Sequence, residues 1–319
     1  MLGLGSSERT IVTVGNFDGV HVAHTRLVER AREMSAGGKV VALAFDPHPA
    51  SVIRPGREPG RLTTFERRAE LLREAGADEV VRLEPTPWLL DLDPEGFARA
   101  HLVSRGCAGV VEGVDFRFGR GRAGDVGTLR ELGKRHGFAV EVVESVEVAL
   151  ADQSIVRASS SMGRWLLSHG RVSDAACVLG RMHEVPGEVV RGERLGRTLG
   201  FPTLNVEPGT MLPADGVYAG EAALPDGRVA AAAISVGNKP TLPGRARVLE
   251  AHLLEVERSG DAIAGLPEYG WGVRVRFRAW IREQARYDTL GALVERIRED
   301  CRVTLADPPA PSWMREVTA

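Results

Sequence analysis

Five short β-branched or apolar runs, at residues 11–14, 40–45, 79–83, 109–112 and 139–143, alternate with helical patterns at 27–34, 65–75, 95–105 and 126–136. Strands that alternate with helices rejoin one sheet in parallel, so the first half of the chain predicts an α/β domain on a Rossmann-like parallel sheet. Ligands of such sheets sit at the carboxyl ends of the strands. Three polar motifs, GNFDGVHVAH, FDPHP and GVDFRFG, each follow a predicted strand.

Past a helix-like stretch around 161–180 the pattern changes. Strand candidates at 187–191, 217–224, 228–236, 248–255 and 272–279 are separated by Gly, Pro and Asp turns, which predicts a small antiparallel β-barrel or sandwich. Leu290, Leu293, Val294, Ile297 and Cys301 recur at helical spacing and predict a C-terminal helix. The change of pattern puts a boundary near residue 182, giving domains 1–182 and 183–319. Two domains of about 150 residues each suit a chain of 319.

Charge then limits the partners. Lys and Arg number 41 against 43 Asp and Glu, a formal net charge of −2. That provides no bulk attraction to a nucleic acid backbone or an anionic membrane, so nucleotide binding must be local. Cys107, Cys177 and Cys301 are far apart and form no CxxC pair, which argues against zinc or redox chemistry. No basic segment precedes a long apolar run at the start, and no stretch approaches the roughly 18 apolar residues of a membrane span. A cytoplasmic protein, monomeric or weakly homo-oligomeric, is expected.

The segment from Gly15 to His24 leaves a strand, turns at glycines and enters a helix carrying His21 and His24 one turn apart. A helix start offers unpaired N–H groups and partial positive charge to phosphate, and imidazoles there can stabilise charge that grows during nucleotidyl transfer. By themselves these residues also fit a plain turn with surface histidines, or a two-histidine metal site without a Cys ligand. Arg157-Ala158-Ser159-Ser160-Ser161-Met162-Gly163-Arg164 places three hydroxyls between arginines before an apolar helical stretch. The serines can cap the helix, or with the arginines cradle phosphates.

In the second half, Gly196-Arg197-Thr198-Leu199-Gly200-Phe201-Pro202-Thr203-Leu204-Asn205 is a glycine-punctuated loop ending in a strand. Its N–H groups can wrap a phosphate, and Thr203 and Asn205, two apart, point to one face in extended chain. Taken alone, the glycines fit a simple hairpin loop better.

Taken in order and spacing, GNFDGVHVAH, FDPHP, GVDFRFGRGRAGD and the R-x-S-S-S-x-x-R run resemble the nucleotidyltransferase half of the bacterial bifunctional riboflavin kinase/FAD synthetase family. GRTLGFPTLNV, LPADGVYAG, SVGNKPT and VLEAHLLE resemble successive signatures of its riboflavin kinase domain, and WIREQARYDTLGALVERIRED resembles the closing segment. The resemblance covers roughly residues 11–300. It implies that His21 and His24 bind ATP phosphates and stabilise the transition state, and that Arg157, Ser160, Ser161 and Arg164 grip the triphosphate. Gly15, Phe17, Asp18 and Asp115 join that nucleotide site, Asp115 as a nucleotide or metal contact. Gly196, Arg197, Gly200 and Pro202 form the other, in which Thr203 and Asn205 take Mg²⁺ and ATP. Glu250 becomes the general base. The chain departs from the family pattern at Ala23 (glycine is usual), Ser161 (threonine), Glu193 (aspartate) and Tyr287 (phenylalanine).

The reactions so implied are phosphorylation of riboflavin to FMN by ATP, and adenylylation of FMN to FAD by a second ATP. Two alternatives stay open: a paralogue with weakened or altered nucleotidyl transfer that is mainly a kinase, and a non-catalytic flavin-binding regulator.

Overall fold

The structure is a computed structural model that describes residues 9–192, 195–237, 247–260 and 262–306. Packing divides these residues into two units. One holds the residues up to Glu147 with Arg157–Ser160, and the other holds Val148–Val156 with the residues from Ser161 onward.

The first unit carries β1 (Thr10–Gly15), α1 (Val22–Ser35), β2 (Lys39–Phe45), α2 (Ala50–Ile53), α3 (Phe65–Glu74), β3 (Glu79–Leu83), α4 (Pro87–Asp91), α5 (Pro94–His101), β4 (Cys107–Gly113), α6 (Val126–His136) and β5 (Ala139–Val143). The five strands form a parallel sheet in the order β3-β2-β1-β4-β5. The chain steps outward from β1 to β3, then crosses back to β4, so the direction of winding reverses between β1 and β4. Crevices at such reversals are where open α/β sheets bind ligands.

Both faces of the sheet are covered, which is why β2 reads as an unbroken apolar run. Val12, Val14, Leu43 and Val110 pack on one face with Phe97 and Leu129 of α5 and α6. Ile11, Val40, Ala42 and Val111 pack on the other with Val28 and Ala31 of α1 and Leu72 of α3. Thr64, Asp93 and Asp125 cap α3, α5 and α6 through their side chains, closing helix starts that would otherwise leave N–H groups unpaired.

Several boundaries differ from the sequence reading. Helix α1 starts at Val22, earlier than its apolar spacing, because its first turn, Val22–Thr25, is only half-buried. The 95–105 pattern is a helix to His101 and then a 3₁₀ turn, Val103–Arg105, ended by Gly106 with φ of 62°. That tight exit lets the chain enter β4 at Cys107. Helices α2 and α4 are too short to show periodicity.

A small hairpin, β6 (Glu147–Ala149) and β7 (Ile155–Arg157), precedes α7 (Ser160–Ser168) and α8 (Val172–Leu179), so the 161–180 stretch is two helices. Both pack with the second unit, where Leu167 O accepts the Ala214 N–H and Ser173 Oγ donates to Arg278 O.

The second unit continues with β8 (His183–Val190), α9 (Leu195–Thr198), β9 (Leu204–Pro208), β10 (Gly216–Ala223), β11 (Val229–Gly237), β12 (Val248–Leu253), β13 (Arg258–Ser259), β14 (Ala262–Ile263), β15 (Gly272–Arg282) and α10 (Leu290–Leu305). Six of these strands close an antiparallel barrel in the order β10-β11-β12-β9-β8-β15. Alternate residues fill it: Ala232, Ile234 and Val236 of β11 and Leu249, Ala251 and Leu253 of β12 are buried, while their neighbours in sequence face out. Asp300 of α10, buried, takes a two-pronged contact from Arg282 of β15 at 2.6 and 3.0 Å and fixes the closing helix to the barrel. The guanidinium of Arg282 also lies 5.8 Å from the Tyr287 ring, a contact any aromatic residue would supply there.

The parallel sheet, closed barrel and closing helix agree with the sequence reading. Glu193 and the 238–241 part of SVGNKPT lie outside the described residues. Among the described residues the cysteines are free, and no helix is long and apolar enough to cross a membrane.

Candidate active sites

Past β1 the backbone of the first motif is held in an unusual shape. Phe17, Gly19 and Val20 have φ of 49°, 83° and 37°. For a β-branched residue such as Val20 the left-handed region costs about 1–3 kcal/mol, so the surroundings must enforce it. Phe17 and Val20 are buried, and Gly15 lies over the Phe17 ring. Asp18 supplies the anchor. Its buried carboxylate accepts the N–H groups of Leu62 and Thr63 at 3.0 Å and the Thr63 hydroxyl at 3.2 Å, while Gly19 N donates to Thr63 Oγ1. Replacing Asp18 by alanine leaves two buried N–H groups without an acceptor. We expect a loss of about 2–4 kcal/mol from the unfolding transition of the first unit in equilibrium denaturation, with asparagine recovering part of it.

His21 caps α1 through its carbonyl, which accepts the N–H groups of His24 and Thr25 at 2.8 and 3.1 Å. The rings of His21 and His24 stack with centroids 3.6 Å apart, and Phe17 stands edge-on to His24 at 5.1 Å. Two imidazoles are thus fixed as a pair at the positive end of a 14-residue helix. Ala23 lies between them in regular helix, a conformation that suits alanine better than glycine.

Two further contacts within the first unit come from far along the chain. Ser160 Oγ donates to Asp18 O at 2.7 Å, latching the serine run onto the first turn. Arg157 pairs with Asp115 at 3.0 Å. Ser161 and Arg164, three residues apart, share one side of α7.

Residues to which the sequence assigned no role stand beside the turn. A cleft of about 420 Å³ is lined by Asn16, Asp18, Pro47, His48, Arg61 and Arg68, among others. Arg68, buried on α3, donates to Asn16 O at 2.8 Å and Phe45 O at 2.7 Å, tying the ends of β1 and β2 together. Burial pushes its pKa down while Asp18 and Asp46 oppose that, and the guanidinium remains charged. Asp46 also meets Arg61 at 3.2 Å. His48 Nδ1 accepts the Ala50 N–H at 3.0 Å, and its Nε2 lies 3.1 Å from the Asn16 side-chain amide. The FDPHP motif marked Asp46 and His48 as a neighbourhood only; Arg61 and Arg68 carried no signal.

In the second unit the barrel's register assembles the site. Glu250 on β12 stands directly opposite Asn205 on β9, and opposite Ser235 on β11. All three belong to the outward-facing set, whose neighbours in sequence fill the barrel. Ahead of β9, the chain makes the short turn of α9, reverses at Gly200 with φ of 85°, and returns so that Phe201 N donates to Gly196 O at 2.7 Å. A side chain at Gly196 would collide with Phe201 O, its Cβ only 2.4 Å away. Pro202, Thr203, Asn205 and Arg197 line one narrow cleft with Arg258, Glu268 and Tyr269. Arg197 donates to Glu268 at 2.6 Å and lies 3.2 Å from the Tyr269 hydroxyl, clasping the loop. The Pro202 carbonyl accepts from His252 Nδ1 at 2.8 Å and from Arg258 at 3.2 Å. Burial pushes the His252 pKa down, so it serves as a neutral donor. His252 sits two residues after Glu250, so the strand that presents the carboxylate also steadies the loop.

Among the described residues no cluster of three or more His, Cys, Asp or Glu side chains could hold a metal ion. Thr203 and Asn205 offer neutral oxygens instead, which suits Mg²⁺ shared with phosphates and water. Gly192 leaves the space that Asn205 needs, since a Cβ there would lie 2.1 Å from its amide. The donor set therefore fits that ion.

Comparison with known proteins agrees with both halves. A family model described as FAD synthetase matches residues 5–158, and one described as riboflavin kinase matches residues 179–306. The bifunctional riboflavin kinase/FMN adenylyltransferase of Escherichia coli (strain K12) is 31% identical over 309 residues, 94% of this chain and 93% of its own length. That of Pseudomonas fluorescens is 33% identical, covering 94% of each. A solved Streptococcus pneumoniae chain described as a macrolide-efflux protein shares the fold, with a TM-score of 0.81 over 95% of this chain and 96% of that one, at 24% identity. With both family models matched in order and identities above 30% along nearly the whole length, this chain belongs to the bifunctional riboflavin kinase/FMN adenylyltransferase family.

Proposed function

We propose that the chain phosphorylates riboflavin to FMN with ATP and then adenylylates FMN to FAD with a second ATP. Residues 1–182 carry the adenylyl transfer and 183–319 the kinase. The observation that carries the reading is the pairing of Glu250 with Asn205 beside Thr203 in one family-matched unit, while the His21–His24 pair heads α1 in the other.

In the kinase reaction the riboflavin 5′-hydroxyl attacks the γ-phosphorus of ATP. The new O–P bond forms as the bond to ADP breaks, and the hydroxyl proton passes to Glu250. Thr203 and Asn205 would hold Mg²⁺, which neutralises charge on the phosphate oxygens. Gly196, Arg197, Gly200 and Pro202 shape the loop against the nucleotide.

In the second reaction an FMN phosphate oxygen attacks the α-phosphorus of ATP and pyrophosphate leaves. That oxygen is already ionised, so positioning and charge stabilisation suffice. His21 and His24 stabilise the phosphate charge, and Arg157, Ser160, Ser161 and Arg164 grip the triphosphate. Gly15, Phe17 and Asp18 keep the turn in shape, with Asp115 beside Arg157. The chain acts in the cytoplasm as a monomer or weak homo-oligomer; it works without nucleic acid or membrane, for which its near-neutral net charge provides no bulk attraction.

Incubating purified protein with riboflavin and MgATP, then with FMN and either MgATP or MgCTP, and separating the products by chromatography tests both halves. We expect FMN from the first mixture and FAD from the second with ATP. FMN formation without any FAD would leave the kinase reading alone standing.

A further inference from the structure

Where the sheet reverses its winding, the main-chain pairing of β1 with β4 stops at Val12–Val110, although β1 stays paired with β2 as far as Gly15 and β4 with β5 as far as Gly113. The two central strands therefore part company one turn short of the GNFDG segment. A side chain bridges the gap. Glu112 of β4, only 2% exposed, accepts the Val14 N–H through Oε1 at 2.6 Å.

A carboxyl group is an expensive choice for this place, since burial alone disfavours its charged form. Burial raises its pKa well above the usual carboxylate range, and Asp115 nearby pushes the same way, against the Val14 hydrogen bond. The Val14 N–H needs only an acceptor oxygen at this place, and an amide of the same length would supply one. An apolar residue would fill the volume but leave the Val14 N–H buried without a partner. Val14 is one residue from Gly15 and three from the left-handed Phe17, so movement there passes directly into the turn that leads to His21 and His24.

We propose that Glu112 is a positioning residue for nucleotidyl transfer, taking over from the β1–β4 ladder where it ends and so fixing the turn that presents the two imidazoles. The proposal rests on adenylyl transfer being the reaction of the first unit.

The test compares Glu112→Gln, Glu112→Val and Glu112→Asp in the full chain. FAD formation from FMN and MgATP is measured beside FMN formation from riboflavin in the same preparations. Hydrogen exchange of residues 14–19 is followed in parallel. We expect the kinase rate unchanged in all three, which reports an intact second unit. Glutamine should keep adenylyl transfer within about threefold, whereas valine should lower kcat by about 10–100-fold with a smaller change in KM, as displacement of the catalytic pair by a fraction of an ångström would. Aspartate, one methylene shorter, falls between and stands in should the valine variant not fold. Exchange at 14–19 should quicken in the valine and aspartate variants only. A valine variant as active and as protected as the parent overturns the proposal, and so does a glutamine variant as impaired as valine. A parent that makes no FAD while the exchange pattern holds refutes the reaction and not the bracing of the turn.

Discussion

Replacing Glu250 by glutamine is expected to lower riboflavin phosphorylation by about 10²-fold or more, while adenylylation of supplied FMN continues at the parent rate. The amide keeps the size and much of the hydrogen bonding of the carboxylate but cannot take a proton. A primary hydroxyl is a weak nucleophile near neutral pH, so loss of the acceptor should fall on kcat more than on KM. Steady-state rates of FMN formation check this, with the second reaction as an internal measure of folding. Turnover unaffected by the change would show that the hydroxyl proton does not pass to this residue.

The second large effect concerns the histidine pair. Alanine at either His21 or His24 should lower FAD formation from FMN by about 10²–10³-fold, the range seen when one preorganised donor to developing charge is removed. The stacking of the rings makes the double change less than multiplicative, because removing one imidazole also frees the other to turn. Rates of FAD formation in the two single variants and the double variant test this directly. Effects that multiply fully would show that the rings act independently, contrary to their packing.

Much of this architecture was legible in the chain. The strands at 79–83 and 139–143 and the helix at 126–136 have the boundaries their sequence patterns predict: valine-rich runs mark the two half-exposed edge strands, and Leu129 and Leu132 mark the buried side of the helix. Helix α1 began earlier than its periodicity because its first turn, Val22–Thr25, is only half-buried and adds no apolar stripe. The same limitation hid Arg68. Set within a helix whose neighbours Ala69, Leu71 and Leu72 are core residues, it looks like an ordinary surface cation, and only the fold turns it inward onto Asn16 and Phe45. Glu112 escaped for the opposite reason, since one acid in an apolar strand has no spacing to betray it. Motif order, by contrast, pointed to His21, His24, Thr203, Asn205 and Glu250 together, although nothing in the sequence states that β9 and β12 are neighbours.

The opposition of Glu250 to Asn205 carries a consequence for how this barrel can vary. Side chains along a strand alternate between inside and outside, so inserting or deleting a single residue within β12 would turn Glu250 toward the barrel's interior and bring an aliphatic neighbour out beside Asn205. Lengthening the connections between strands leaves that parity untouched. Drift in chain length among descendants of this enzyme should therefore collect in the loops, and β12 should keep its count of residues even where its composition changes.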